Sequence, residues 1–288
     1  MAVNEPLLSV LLVCYNQKDF LPQALDSVLR QKTSFEFEIV AADDASTDGS
    51  RQLLEEYAAK HPTMRILPPQ ANLGVTRNYQ RGFAACQGRY VAVLEADDYW
   101  VREDRLEIMV SFLEANPIFS MAANRFLGLY ENGLYFWYPL PLRNEYPLYL
   151  SAHDLIFSEE IGRVIFFGNF STCVYRKAAL EAIPPKLFEH MVYDWPINIA
   201  VARYGPVACF PELMSVYRIL KNSTWNRQTE QEKRKEMMAG VALIEEFFPE
   251  FKERCALFKL INGTRWRFLR RCCKPLLRAL FCRLARYM

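Results

Sequence analysis

Three carboxylates stand within four residues at Glu95, Asp97 and Asp98. Packed so closely they repel one another unless solvent or a cation offsets the charge. Mg²⁺ and Mn²⁺ favour such oxygen ligands and complete their shells with water or substrate phosphates. A metal held there would neutralise a leaving diphosphate. The same residues could instead form a helix cap and a solvated turn ahead of Glu103. A second acidic pair, Asp43-Asp44, could accept a hydrogen bond from a nucleobase N–H or a ribose hydroxyl, or could simply build a turn.

The elements expected around these acids place them together. Leu7 to Cys14 is a short apolar run that reads as a buried parallel strand. Asp19 can cap a helix that carries Leu21, Leu25, Val28 and Leu29 on one face. Phe37 to Ala42 reads as a strand and Ser50 to Lys60 as a helix. Met64 to Leu67 is a strand, Val75 to Ala85 a helix, Tyr90 to Leu94 a strand and Glu103 to Ala115 a helix stopped before Asn116-Pro117. This alternation predicts βαβ units and an open parallel sheet with helices on both faces. Ligands of such sheets bind beyond the carboxyl ends of the strands. Both acidic clusters fall there.

The second half is less regular. Arg125 to Tyr130 and Leu134 to Tyr138 flank Glu131-Asn132-Gly133 as a hairpin would. Ala152 to Phe157 suggests a short helix, Thr172 to Tyr175 a strand and Asp194 to Ala202 a helix. Val207 to Tyr217 reads as extended pieces broken by Pro211, and Gln228 to Phe247 as a long helix. We divide the chain into residues 1–225, a domain that carries both acidic clusters and that the resemblance described next makes catalytic, and 226–288, a helical region with a basic amphipathic end.

Four segments together resemble glycosyltransferase family 2, whose members share the GT-A fold. They are SVLLVCYN over 9–16, the acidic turn ADDASTDGS over 42–50, NLGVTRNYQRG over 72–82, and LEADDYW over 94–100. The match is dense from about residue 7 to 116 and looser through 218. The resemblance implies an α/β fold of the GT-A type. A nucleotide-binding βαβ sheet would be followed by a mixed α/β acceptor side and a helical C-terminal segment. It implies that Asp43 and Asp44 hold the uracil or thymine base and ribose of a nucleotide-sugar donor. Cys14 and Tyr15 would line the base pocket, with Arg77 and Asn78 near the donor. Asp97 would be the main ligand of Mn²⁺ or Mg²⁺, with Glu95 where the family often has Asp. Asp98 would organise the sugar or the metal shell.

The stretch before Pro196 resembles the segment carrying the family's catalytic base, and Asp194 is the matching residue. Such a base takes the acceptor proton as the hydroxyl attacks the anomeric carbon. Read from its position alone, Asp194 could equally cap its helix. Relatives often read Tyr-Arg-x-His where this chain reads Tyr217-Arg218-Ile219-Leu220. Leu220 cannot bind a cation, while Arg218 could contact the diphosphate or pair with an acid. Ser171, Thr172 and Trp195 would face the acceptor. The aromatic run Tyr135 to Tyr138 could stack on sugar rings or pack a hairpin. His153 and His190 have no second ligand at metal spacing and read as structural. The processive members' Gln-x-x-Arg-Trp signature is missing, which favours transfer of one sugar.

Residues 252–288 hold eleven Lys or Arg and one acid, Glu253, leaving 24 basic and 32 acidic residues before them. An acidic body argues against nucleic-acid binding. The basic-apolar run from Trp266 to Arg286 could lie on an anionic membrane, suiting a lipid-linked acceptor, or pack onto the body. Eight cysteines without a CxxC pair suggest reduced thiols in the cytoplasm. No signal peptide is read at the N-terminus and no charge-free run reaches spanning length. The expected place is the cytoplasm, peripheral at the inner face of the plasma membrane. The expected function is inverting, metal-dependent transfer of a single sugar from a UDP- or dTDP-sugar to a saccharide, free or lipid-linked, for a surface polysaccharide such as lipopolysaccharide or capsule. Two alternatives are a sugar-phosphate nucleotidyltransferase, which would show a Gly-rich loop that Val10 to Phe20 lacks, and a non-catalytic sugar-binding or membrane-scaffolding relative.

Overall fold

The structure, a computed structural model, describes residues 6–133, 135–137, 148–156, 169–189, 194–223 and 225–262. Strand β1 (Leu8–Cys14) is buried almost throughout because its apolar run meets helices on both faces. It lies between β2 (Phe37–Asp43) and β4 (Tyr90–Glu95), parallel to both, with Cys14 opposite Asp43 and Val13 opposite Glu95. The short β3 (Met64–Ile66) extends the parallel set beyond β2. Helices α1 (Leu21–Leu29), α2 (Ser50–Lys60) and α3 (Val75–Ala85) supply the crossovers.

The sheet does not stay parallel. Its order is β3-β2-β1-β4-β9-β6-β10-β5. Strand β9 (Cys173–Arg176) enters antiparallel between β4 and β6 (Met121–Tyr130). Strand β10 (Val207–Ile219) runs parallel to β6, and β5 (Tyr99–Trp100) runs antiparallel to β10. The alternation of short β/α units predicts parallel pairing only as far as β4. Beyond it the return comes from distant chain, which no local pattern announces. The hairpin partner β7 (Tyr135–Trp137) pairs β6, and β8 (Leu148–Leu150) pairs β10. The ends of that expected hairpin, Leu134 and Tyr138, fall outside the described residues, as do the side chains of Tyr135, Phe136 and Trp137.

Three boundaries differ from expectation. Asp19 does not cap α1; Phe20 stands at the cap and Pro22 fills the first turn. Helix α4 (Arg105–Ala115) starts two residues later than Glu103, with Arg105 fully buried. Strand β10 is one strand rather than broken pieces, because register shifts between Phe210 and Ser215 absorb Pro211.

One apolar cluster covers the α1 and α4 face of the sheet. The other gathers α3, α5 (Ala152–Ile156), α6 (Lys177–Glu181) and α7 (Asp194–Ala202) with α8 (Glu230–Phe247) and α9 (Lys252–Asn262). Helix α8 opens with a capping box between Thr229 and Glu232. His153 packs edge-on to Phe251, as a structural histidine would. His190 and the basic run Trp266 to Arg286 lie outside the described residues. The cysteines within them, Cys14, Cys86, Cys173, Cys209 and Cys255, are free and buried. Among the described residues no helix is long and apolar enough to cross a membrane.

Candidate functional site

Parallel register brings the ends of β1, β2 and β4 to one edge of the sheet, and the loops after them meet there. The β1 loop turns at Asn16, which adopts φ 53°. Its side-chain oxygen accepts the Thr47 N–H at 2.7 Å, and its own N–H reaches Ser46 Oγ at 2.9 Å. Asp48 accepts the N–H groups of Lys18 and Ser50, each at 2.9 Å. The β1 and β2 loops are therefore fastened to each other before any ligand arrives.

Asp43 and Asp44 are both buried but differently occupied. The Asp43 carboxylate accepts from the hydroxyl of Ser46. The Asp44 carboxylate accepts the Leu73 N–H at 2.8 Å and the Gly74 N–H at 2.9 Å. Gly74 has φ 79°, a conformation open to glycine, and stands at the N-terminus of α3. Asp44 is thus a clasp between β2 and α3. Asn78 belongs to the same clasp, donating to the Ala42 carbonyl at 2.9 Å and accepting from Arg81. Arg81, unremarked in the sequence, also donates to the Asp43 carbonyl at 2.9 Å. Arg77 is exposed on the outer side of α3. Cys14 is buried, its thiol pushed up to about 12 by desolvation, and its carbonyl accepts the Asp44 N–H. Tyr15 beside it is 51% exposed and open to a ligand.

The acids after β4 divide in the same way. Glu95 accepts from the Tyr79 hydroxyl at 2.7 Å. Burial first, then the charges of Asp98 and Asp97, hold its pKa well above the carboxylate range. Asp98 is fully buried and has both oxygens engaged, by the Arg218 N–H and the Asn169 amide, each at 2.9 Å. Desolvation and then Asp97 raise its pKa to about 8. Among the described residues Asp97 has its own backbone N–H and a long 3.5 Å contact from Gln17, so it is the least firmly held carboxylate of the three. Its pKa is raised by desolvation and opposed by Arg218.

Arg218 shapes this loop. Its guanidinium lies over the rings of Phe20 and Tyr99, at 4.9 and 4.7 Å, and donates to the Asp97 carbonyl and to Gln23. It is committed to protein partners and not presented bare to a diphosphate. The β5–β10 pairing delivers it: Val216 faces Tyr99 two residues before the arginine and one after Asp98.

The acceptor-side residues are closer to the floor than the sequence suggests. Ser171 and Thr172 are buried. Ser171 Oγ accepts the Glu95 N–H at 3.1 Å, and its carbonyl accepts Trp100 Nε1 at 2.8 Å. Thr172 donates to the Asn169 carbonyl. Ser171 thus braces the acidic strand, and Thr172 closes the turn from Asn169 that carries it. Trp195 sends its indole N–H to the Leu155 carbonyl at 2.8 Å and packs at a tilt against Phe258. Asp194, half-buried at the head of α7, accepts the Trp195 N–H at 2.7 Å. Desolvation raises its pKa to about 6. It lies close enough to Glu95 and Tyr79 for its charge to act on both. Glu95 and Asp194, 99 residues apart in the chain, are thereby brought close enough for their charges to interact. The sequence gives no sign of Tyr79, Asn169 or Gln17 as partners of the acids after β4, because those contacts close only in the fold.

Among the described residues no three His, Cys, Asp or Glu side chains converge to enclose a cation. The donor set nevertheless fits a hard divalent ion that draws most of its shell from substrate and water: Asp97 is under-bonded, and Asp98 and Glu95 stand beside it. Leu220 offers nothing to a metal.

The profile of "Glycosyl transferase family 2" matches residues 9–183. The Mycobacterium tuberculosis protein Rv1520 is 31% identical over 220 residues, which are 76% of this chain and 60% of that protein. The chain thus spans about 60% of the length of that relative. A Bacillus subtilis protein named for teichuronic acid biosynthesis, the glycosyltransferase TuaG, is 34% identical over 109 residues, 38% of this chain and 42% of its own. S. aureus TarS 1–349 in complex with UDP-GlcNAc superposes with a TM-score of 0.66 at 16% identity, covering 87% of this chain and 70% of TarS 1–349. The mannosyltransferase PcManGT of Pyrobaculum calidifontis, in complex with GDP-Man and Mn²⁺, gives 0.64 at 17% identity, covering 92% of this chain and 73% of its own.

Proposed function

The chain belongs to glycosyl transferase family 2 and has the GT-A fold, and from that premise we propose that it transfers one sugar from a UDP- or dTDP-sugar to a saccharide hydroxyl with inversion. The observation that carries this reading is that Asp194, a base candidate, lies close enough to Glu95 for its charge to act there, two residues before the under-bonded Asp97. Asp194 removes the proton of the acceptor hydroxyl while that oxygen bonds to the anomeric carbon. The bond from that carbon to the diphosphate breaks, and its electrons leave with the nucleoside diphosphate. A divalent Mn²⁺ or Mg²⁺, when bound at Asp97, supplies charge to the departing diphosphate. The β1 and β2 loops, with Asp43 and the exposed Tyr15, receive the base and ribose. Asp44, Asn78 and Arg218 hold these loops in shape.

The name of TuaG, which refers to teichuronic acid biosynthesis, supports a surface polysaccharide as product. The basic, apolar composition of residues 263–288 suits work at an anionic membrane on a lipid-linked acceptor, at the cytoplasmic face.

The test is calorimetry with UDP, dTDP and GDP and their common sugar conjugates, each with and without Mn²⁺. One UDP- or dTDP-sugar should bind in a metal-dependent manner, and Asp97→Ala should abolish that dependence. Absence of binding to every nucleotide would overturn the transferase reading.

A further inference from the structure

Tyr217 sits on β10 opposite Gly128 of β6, so no β6 side chain stands directly across from its ring. The ring packs edge-on to Phe126, with centroids 6.1 Å apart and planes 89° apart. Its backbone is pinned on both sides, by the pairing of Val216 with Tyr99 and by the Arg218 N–H on Asp98. A half-buried tyrosine held this firmly ordinarily gives its hydroxyl a protein partner. Among the described residues the Tyr217 hydroxyl has none. Tyr79 is the contrast: it meets several of the same carboxylates and donates to Glu95 at 2.7 Å.

We infer that Tyr217 is a sugar-binding residue of this site, its hydroxyl reserved for a hydrogen bond to a saccharide oxygen. The inference rests on the proposed transferase reading and adds a residue to it. The surroundings of the phenol fix its chemistry. Burial first, then the charges of Asp98, Glu95, Asp194 and Asp97, push its pKa far up, so it stays a neutral donor and acceptor. The charges of the same four acids reach the phenol, those of Asp97 and Asp98 from the proposed diphosphate side and that of Asp194 from the proposed acceptor side. A phosphate would call for a cation or a charged donor at that point. A phenol fits the hydroxyl of a sugar, whether the sugar being moved or the one receiving it.

The experiment uses Tyr217→Phe in the full chain, which removes the hydroxyl and keeps the ring against Phe126. Probes are the sugar nucleotide selected by the screen above, its free nucleoside diphosphate, and a panel of methyl glycosides as acceptors. The thermal midpoint should be unchanged, and kcat/KM for transfer should fall roughly tenfold to a hundredfold, the loss of one hydrogen bond. Weaker binding of the sugar nucleotide, with unchanged binding of the nucleoside diphosphate, assigns the bond to the transferred sugar. A raised acceptor KM at unchanged donor affinity assigns it to the acceptor. A variant with wild-type kcat/KM toward both substrates overturns the inference and leaves the transferase reading standing. A wild-type chain that transfers sugar from no donor removes that reading, and this inference with it.

Discussion

At the scale of single residues, the site spends its carboxylates unequally, and Asp194 shows what that costs. A base must be ionised to accept a proton, and burial holds the Asp194 carboxyl at about 6. Transfer should therefore rise as pH rises through about 6 and level off above it, read as kcat/KM against pH. Stability should run the other way. The folded state holds this proton more tightly than the unfolded chain, whose ordinary value is 3.8. Its contribution is full below 3.8 and lost as pH rises through about 6. Asp194→Asn removes the buried charge, so it should lower kcat by roughly 10²–10⁴. Above pH 7 the same variant should raise stability by at most about 3 kcal/mol, measured by denaturant unfolding. A variant that loses activity and stability together would show that the residue serves only as a helix cap.

At the scale of elements, the loops are locked by polar side chains that a motif would assign to ligands. Asp44 is the sharpest case. Its two bonds to the Leu73 and Gly74 N–H groups close the passage from β2 to α3. Asp44→Ala should cost about 2–4 kcal/mol of stability, the loss of two charge-assisted bonds from a buried setting. Nucleotide affinity should fall only as far as the loosened loop allows. The boundaries of α2, α3 and α7 can be read from the sequence, because periodicity and capping act over a few residues. The position of the acids at strand ends can be read as well. What escapes is whatever depends on chain 70 or more residues away: the antiparallel β9 beside β4, Asn169 on Asp98, Ser171 under Glu95, and Arg218 stacked into the acidic loop. Ser171 and Thr172 have hydroxyls at a strand start, which in sequence looks the same facing a ligand or bracing a strand. Burial alone distinguishes the two. Gly74 adds a local consequence. Its φ of 79° strains any side chain, so Gly74→Ala should destabilise by about 1–3 kcal/mol even though nothing lies near its Cβ.

At the scale of the whole molecule, the nucleotide end and the base end of the site stand on different supports. The loops after β1, β2 and β4 rest on the parallel half of the sheet. Asp194 rests on α7, and α7 rests on the C-terminal helices. Tyr175 fixes α7 from β9 by donating to Asn198 at 2.6 Å. From the other side, the Trp195 ring packs at a tilt on Phe258 of α9 with centroids 5.4 Å apart, and Gly240 of α8 lies beside Pro196 and Trp195. Val241, Ile244, Cys255 and Phe258 share one apolar cluster with Ile197 and Val201, so the helices form part of the same core. Phe258→Ala opens a cavity directly behind the residue that follows Asp194. It should cost about 3–5 kcal/mol, and Phe258→Leu, which keeps most of the volume, should cost less. Because the cavity lies at the base end, kcat should fall in Phe258→Ala while affinity for the sugar nucleotide stays near wild type. Calorimetry and steady-state kinetics on the two variants at a temperature where both remain folded would measure this split. Equal losses of donor affinity and kcat would show that the C-terminal helices support the sheet as a whole and not the catalytic helix in particular.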